Sequence, residues 1–316
     1  MKFKTLLMLA ALVLFLALPQ LITVKYYLHL CILALIWVIM AQGQNLIQGY
    51  TGYVSIVQAG FMGIGAYSSA LMGSHFGLPV GMTIILAPLV TAVFALVAGY
   101  PSLRVKGHYF AIVTLAFNMV IFIVLLNFTH LTNGEAGISG IPKPGYGRGA
   151  TIDFYDRQVY YYFVLAIAVL MTALAAVIVR SRIGQILLAI RQNEDLVASV
   201  GVAAWRYKLF AFVISAMFAG LAGALYAHYQ SFINPEIFGV AQSMDAILAV
   251  IIGGSGTLTG PVIGAFFVVF LPEYLRFADS FRLILYGLIL VLATIFMPRG
   301  IVGLARDLGT RFGGRK

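Results

Sequence analysis

The chain has 316 residues, 62% of them hydrophobic and only 9% charged, with a mean hydropathy of +1.00. A soluble domain carries about 25% charged residues, and no soluble fold of this size hides so much apolar surface, so the solvent of this chain is the bilayer. The net charge of +10 does not signal nucleic acid, because the basic residues fall in short loops and near the C-terminal end, as orientation signals do.

Lys2 and Lys4, followed by an apolar stretch from Thr5 to Leu18, imitate a signal peptide. Pro19, Gln20 and Leu21 lack the small-residue pattern of a cleavage site, so the stretch reads as a retained first span with its N-terminus inside. Runs of about 20 apolar residues can cross a membrane. Full spans are expected near 4–24, 28–47, 54–73, 79–100, 109–130, 159–179, 208–228 and 281–297. The single Cys31, in the second of these, allows no internal disulfide and no cysteine metal cluster.

Polar side chains inside the apolar runs are Gln44, Asn45, Gln48, Ser55, Gln58, Thr114 and Asn118. Intramembrane amides and hydroxyls usually bond across helices, so these seven are either interhelical glue or the lining of a translocation path. Gly60, Gly63 and Gly65 lie in one run, and Gly220 and Gly223 in another. Small residues at such spacing let helix backbones approach closely.

Loop 131–158 is dense in glycine and proline, which argues against a helix there. It is a connector or a lip for an external partner. Dividing the chain near residue 150 gives two halves of five segments with opposite starting sides. That is the arithmetic of an inverted repeat, although the halves show no sequence match.

Residues 180–207 form a polar, helix-forming segment between two spans, carrying Arg180, Arg182, Arg191 and Arg206. Each charge would cost several kcal/mol in lipid, so the segment must emerge, and its positive bias puts it inside. Asn193 is placed to cap a short helix whose first turn holds Glu194 and Asp195. Ala198 and Gly201 are small enough to let a partner surface come close.

The stretch 243–275 is short for two spans of about 20 residues each. Its centre, Gly253-Gly254-Ser255-Gly256-Thr257-Leu258-Thr259-Gly260-Pro261, breaks a helix. Two half-helices meeting inside the membrane fit it better. Non-helical backbone at that depth must be buried in protein or face a water-filled cavity. Gly253, Gly254, Ser255, Gly256, Gly260 and Pro261 are the gate or breaker candidates. The fold expected is all-α: one polytopic bundle over 1–316, with about eight full spans plus a broken or re-entrant pair.

With the N-terminus inside, only Lys25, Lys143, Arg148, Arg157, Arg276 and Arg282 of the 20 basic residues fall outside. The excess on the other side obeys the positive-inside rule. Both termini, including the basic tail 298–316, are then cytoplasmic.

The order of the 180–207 segment is basic residues, then Ala189-Ile190-Arg191-Gln192-Asn193-Glu194, then Ala198 and Gly201, then an apolar helix. It resembles the cytoplasmic coupling loop of ATP-binding cassette importer permeases, in the LivM-type branched-chain amino acid branch. The general importer pattern E-A-A-x-x-x-G is not kept: the matching stretch is Asp195-Leu196-Val197-Ala198-Ser199-Val200-Gly201. Four further blocks resemble the same branch, namely 49–67, 103–115, 131–142 and 253–261, and Met297-Pro298-Arg299-Gly300-Ile301 closes the series in order.

The resemblance implies that Gly184, Ala189, Ile190, Arg191, Asn193, Glu194, Ala198 and Gly201 form an ATPase-coupling loop. It implies a permease without enzymatic activity in a bacterial inner membrane, working with a second related permease, two cytoplasmic ATP-binding subunits and a periplasmic binding protein. Leucine, isoleucine and valine are the default cargo, with urea or short amides as the alternative. Asn45, Gln48, Ser55, Gln58, Thr114 and Asn118 are the candidate path.

His29, His75, His108, His130 and His228 show no metal-ligand spacing. No G-x-x-x-x-G-K-[ST] occurs, so the chain has no loop of its own to cradle ATP phosphates, and no bound cofactor is expected. Glu236, Asp245, Glu273 and Asp279 are placed at outer ends or loops. An ion-driven carrier needs a buried carboxylate, so this placement argues against the rival reading, a stand-alone carrier or channel.

Overall fold

The computed structural model describes residues 13, 15–20, 24–105, 107–145, 154–276, 281–297 and 300–304. Most of the expected span 4–24 and the basic tail lie outside the described residues. The long helices are α1 (Lys25–Gln44), α2 (Gln58–Phe76), α3 (Val80–Ser102), α4 (His108–Asn127) and α5 (Arg157–Arg180). They are followed by the short α6 (Arg182–Gln192) and α7 (Glu194–Ser199), then α8 (Ala204–Gln230), α9 (Val240–Gly253), α10 (Gly260–Tyr274) and α11 (Arg282–Phe296).

Among the described residues, six helical segments are long and apolar enough to cross a membrane: α1 with the π turn Asn45–Gly49 that extends it, α3, α4, α5, α8, and α9 with the 3-10 turn Pro235–Phe238 before it. Helix α2 is not among them, because glycine, serine, glutamine and histidine dilute its apolar content. Its place explains this: α2 lies inside the protein against α8, so it needs no lipid-facing surface. The span expected at 281–297 is a helix of 15 residues, α11.

The α2–α8 contact is a backbone contact. A Cβ on Gly65 would overlap the carbonyl of Gly220, and one on Gly223 would overlap that of Met62. The two helices run parallel in register: Gln58 bonds Ser215 near one end, and Ser69 bonds His228 near the other. Ser215 lies eleven residues beyond the start of α8, about 16 Å at 1.5 Å per residue. Helix α2 therefore starts partway up the bundle.

Sequence patterning had placed Ser55 and Gln58 in one continuous span. Instead, residues 52–57 are non-helical and climb into the bundle from the end that carries 180–207. The backbone of this stretch and of the first turn of α2 is satisfied by side chains from other helices, as buried irregular backbone requires. Ile56 N donates to Thr114 Oγ1 at 3.1 Å, Ala59 N to Ser243 Oγ at 2.9 Å, and Gly60 N to Asn118 Oδ1 at 2.7 Å.

Helices α9 and α10 form an antiparallel hairpin of 14 and 15 residues. At 1.5 Å per residue each is about 22 Å long or less, short of a hydrocarbon core of about 30 Å. A Cβ on Gly253 would overlap the Gly260 carbonyl, and one on Gly264 that of Ala249. The hairpin turn lies at the same end of the bundle as 180–207.

At the opposite end, Ile138–Ser139 pairs antiparallel with Phe232–Ile233. His228 ties the same loop down: Nδ1 donates to Pro142 O at 2.6 Å while Nε2 faces the Ser69 and Thr83 hydroxyls. Loop 131–158 is thus partly ordered, as far as its described residues go.

Asp245 lies not in a loop but just inside the outer end of α9, accepting a hydrogen bond from Tyr286 at 2.9 Å. The helix begins at Val240, so the position falls one turn inside it.

Candidate functional site

Helix α6 follows α5 after one residue. The return is possible because Gly184 has no side chain: a Cβ there would overlap the Val179 carbonyl. Leu187 and Ile190 bury one face of α6, and Ile190, Val197 and Ala204 make a small core of their own. Asn193 Oδ1 accepts from Leu196 N at 3.0 Å, capping α7, whose first turn holds Glu194 and Asp195. Ala189 packs on the small core. Ala198 and Gly201 face outward beside the exposed Leu196 and Val200. Gly201 has φ +84°, a conformation that side chains resist.

Two charged side chains fix this segment to the bundle. Glu194 takes a 2.7 Å ion pair from Lys208, which is only 1% exposed. Tyr53 completes the group: its hydroxyl donates to Glu194 Oε2 and accepts from Lys208 Nζ, the latter at 3.1 Å. Burial, then the Glu194 carboxylate, push the Tyr53 hydroxyl well above its ordinary range, so it stays protonated and donating. Arg191 Nη1 donates to the carbonyl of Gly49, at the end of the π turn.

That π turn also holds Asn45, which bonds the hairpin turn on two sides. Its Oδ1 accepts from Gly256 N and its Nδ2 donates to Thr257 O, both at 2.9 Å. The turn caps itself: Thr257 Oγ1 donates to Gly254 O and accepts from Gly260 N, with Pro261 in the first turn of α10. Ser255 is exposed, and Gly253 and Gly254 are buried. Three motifs far apart in sequence thus meet at one end of the bundle: the 180–207 segment, Asn45 and the breaker.

The other path candidates lie deeper and are buried in the chain. Gln48 accepts from Gln44, whose amide also donates to Ser55 O. Gln58 exchanges hydrogen bonds with Ser215. Thr114 and Asn118 cap the 56–60 backbone. Gln44 Oε1, Ser55 Oγ and Asn118 Nδ2 have no partner among the described residues, so this polar layer keeps spare hydrogen-bonding capacity. Sequence reasoning missed Lys208, Tyr53 and Ser243. Lys208 had counted only as an orienting charge, and its position after a polar segment held no signal of burial.

Among the described residues, no group of three metal-ligating side chains occurs.

A nearly all-helical bundle with several apolar spans, polar groups bonded between its helices and a charged segment at one end is the architecture of a polytopic membrane permease. The family described as "Branched-chain amino acid transport system / permease component" matches residues 26–294, and the chain belongs to it. It is 34% identical to the high-affinity branched-chain amino acid transport system permease protein LivM of Salmonella typhimurium, over 87% of this chain and 69% of that protein. The Escherichia coli LivM gives the same identity and shares. The E. coli permease protein LivH is 25% identical over 84% of this chain and 91% of its own length. No solved structure gives a significant match.

Proposed function

We propose that this chain is the membrane-spanning permease subunit of an ATP-driven importer that carries branched-chain amino acids across a bacterial inner membrane. The observation that supports it most is the 180–207 segment. It projects Leu196, Ala198 and Val200 outward while Arg191 and Glu194 tie it to the bundle. A segment built that way can receive a push from a partner and pass it on.

The partners of this reading are a second, related permease, two cytoplasmic ATP-binding subunits that hold the ATP, and a periplasmic binding protein. About eight full spans cross the bilayer, with the shorter α9–α10 hairpin inserted among them and the 180–207 segment and both termini in the cytoplasm. The non-helical stretch 52–57 and the start of α2, with Asn45, Gln48, Ser55, Gln58, Thr114 and Asn118 around them, supply the path. Discontinuous helices that expose backbone inside a bundle are where transporters build such sites. Uncharged groups suit a cargo with an apolar tail whose affinity is set by the binding protein.

Among the described residues, Asp245 bonded to Tyr286 is a feature that suits an ion-coupled carrier working alone. Reconstitution separates the readings. ATP-dependent leucine uptake that needs the ATP-binding subunits and is abolished by Ala198→Trp, with the permease still inserted, supports the importer. Flux by this chain alone, lost in Asp245→Asn, overturns it. Uptake of urea in place of leucine overturns the cargo. Ala198 is the position to test, since a side chain at Gly201 would strain the backbone as well as block a partner.

A further inference from the structure

We propose that Arg191 transmits movement of the 180–207 segment to the turn between α9 and α10. Arg191 and Asn45 are then positioning residues that make the state of that turn follow the state of the ATP-binding subunits. This rests on the reading of 180–207 as their contact.

The connection is continuous in the structure. Arg191 stands in the last turn of α6, and its guanidinium reaches out of the segment to the Gly49 carbonyl. It also lies against the hairpin turn itself: a Cβ on Gly256 would be 2.8 Å from Arg191 Nη1, and one on Gly52 would be 3.2 Å from its Cγ. Gly256 has φ +74°, so glycine serves there both the turn and the close approach. Asn45, four residues before Gly49 on the π turn, holds Gly256 N and Thr257 O. Gln42 Nε2 donates to Leu258 O at 2.8 Å. Three successive residues of the hairpin turn are therefore bonded by amides from the α1–π segment.

No slack separates these parts. A Cβ on Gly49 would be 2.6 Å from Gly256 N, and one on Gly300 would collide with Gly254 on the other side of the turn. Backbone packed on backbone without intervening side chains passes a displacement on instead of absorbing it, because packed contacts switch between arrangements more readily than they deform. The π turn is a suitable element for this, since its wider hydrogen-bond pattern is a local irregularity that can rewind to α. The second attachment, Glu194 with Lys208 and Tyr53, anchors the segment to α8 and the 52–57 stretch. Arg191 is the residue of this segment that bonds the π turn.

Coupling of this kind is read from a two-state signal. In the transporter assembled with its ATP-binding subunits and binding protein, Cys31→Ser removes the native thiol and Ser255→Cys places one on the exposed turn. Its reaction with a small aqueous thiol reagent is measured without nucleotide and with vanadate-trapped ATP. The rates are expected to differ between the two states. Arg191→Gln should abolish that difference and lower leucine uptake about tenfold, the factor one charge-assisted hydrogen bond sets, while the ATP-binding subunits co-purify as before. Asn45→Ala should do the same from the other end, and the double variant should lose no more uptake than either single one, as two links in one chain require.

Rates at Ser255→Cys that do not differ between the states, a difference that persists in Arg191→Gln, or additive losses in the double variant each overturn the inference. Should Arg191→Gln fail to assemble, the Asn45→Ala measurement decides alone. A separate arm tests the reading beneath it: Ala198→Cys must cross-link to an ATP-binding subunit. A cross-link with an unaltered Arg191→Gln signal sinks only the inference, whereas absence of the cross-link sinks the docking reading first.

Discussion

Lys208 carries an ammonium at 1% exposure, with Glu194 at 2.7 Å and the Tyr53 hydroxyl at 3.1 Å. Taking one partner from such a pair leaves an uncompensated charge out of water, which costs far more than removing both. Lys208→Met is expected to destabilise the permease by about 3 kcal/mol, read as a lower midpoint of thermal unfolding in detergent. Lys208→Met combined with Glu194→Gln should recover much of that loss, and equal midpoints for the single and double variants would count against a paired site. None of this was legible in sequence. Glu194 and Lys208 are separated by a capped helix and a turn, and only the fold brings their ends together. Asn118 was legible as an intramembrane amide, but not as the acceptor for Gly60 N, because that role depends on α2 starting partway up the bundle.

At the level of elements, glycine decides the closest packings. Gly65 and Gly223 sit where α2 and α8 touch through their backbones, and such contacts take the place of the hydrophobic drive that helices lack in lipid. Gly65→Leu is expected to abolish stable insertion, seen as loss of membrane-bound protein on expression. Gly73, which has open space around it, should accept alanine with normal expression. Normal expression of Gly65→Leu would mean that α2 and α8 separate more readily than their contact implies. The small residues and the α9–α10 breaker could be read ahead of the structure, since spacing and composition carry both. The break between α1 and α2 was also expected, between 47 and 54, but its extension to residue 57 was not. Residues 54–57 contain no proline or glycine and three of the four are apolar, so local pattern favoured starting the helix at 54.

For the whole molecule, the described residues define two distinct ends. One carries α6, α7 and the hairpin turn, and the other carries the pairing of Ile138–Ser139 with Phe232–Ile233. In the Cys31→Ser background, Ser199→Cys and Ser139→Cys are therefore expected to react with membrane-impermeant reagents from opposite sides of the bilayer. Labelling of both from one side would overturn the arrangement. By itself, the sequence determined the membrane class, most of the spans, the charged segment and the turn-forming glycines. These follow from composition, run length and local propensity, which need only neighbouring residues. Only the tertiary structure decided that Arg191 meets Gly49, that Asn45 holds Gly256 and that Lys208 is buried on Glu194. Arg191 and Gly49 lie 142 residues apart and Asn45 and Gly256 lie 211 apart, and contacts across such distances arise from how helices pack, which no local pattern encodes.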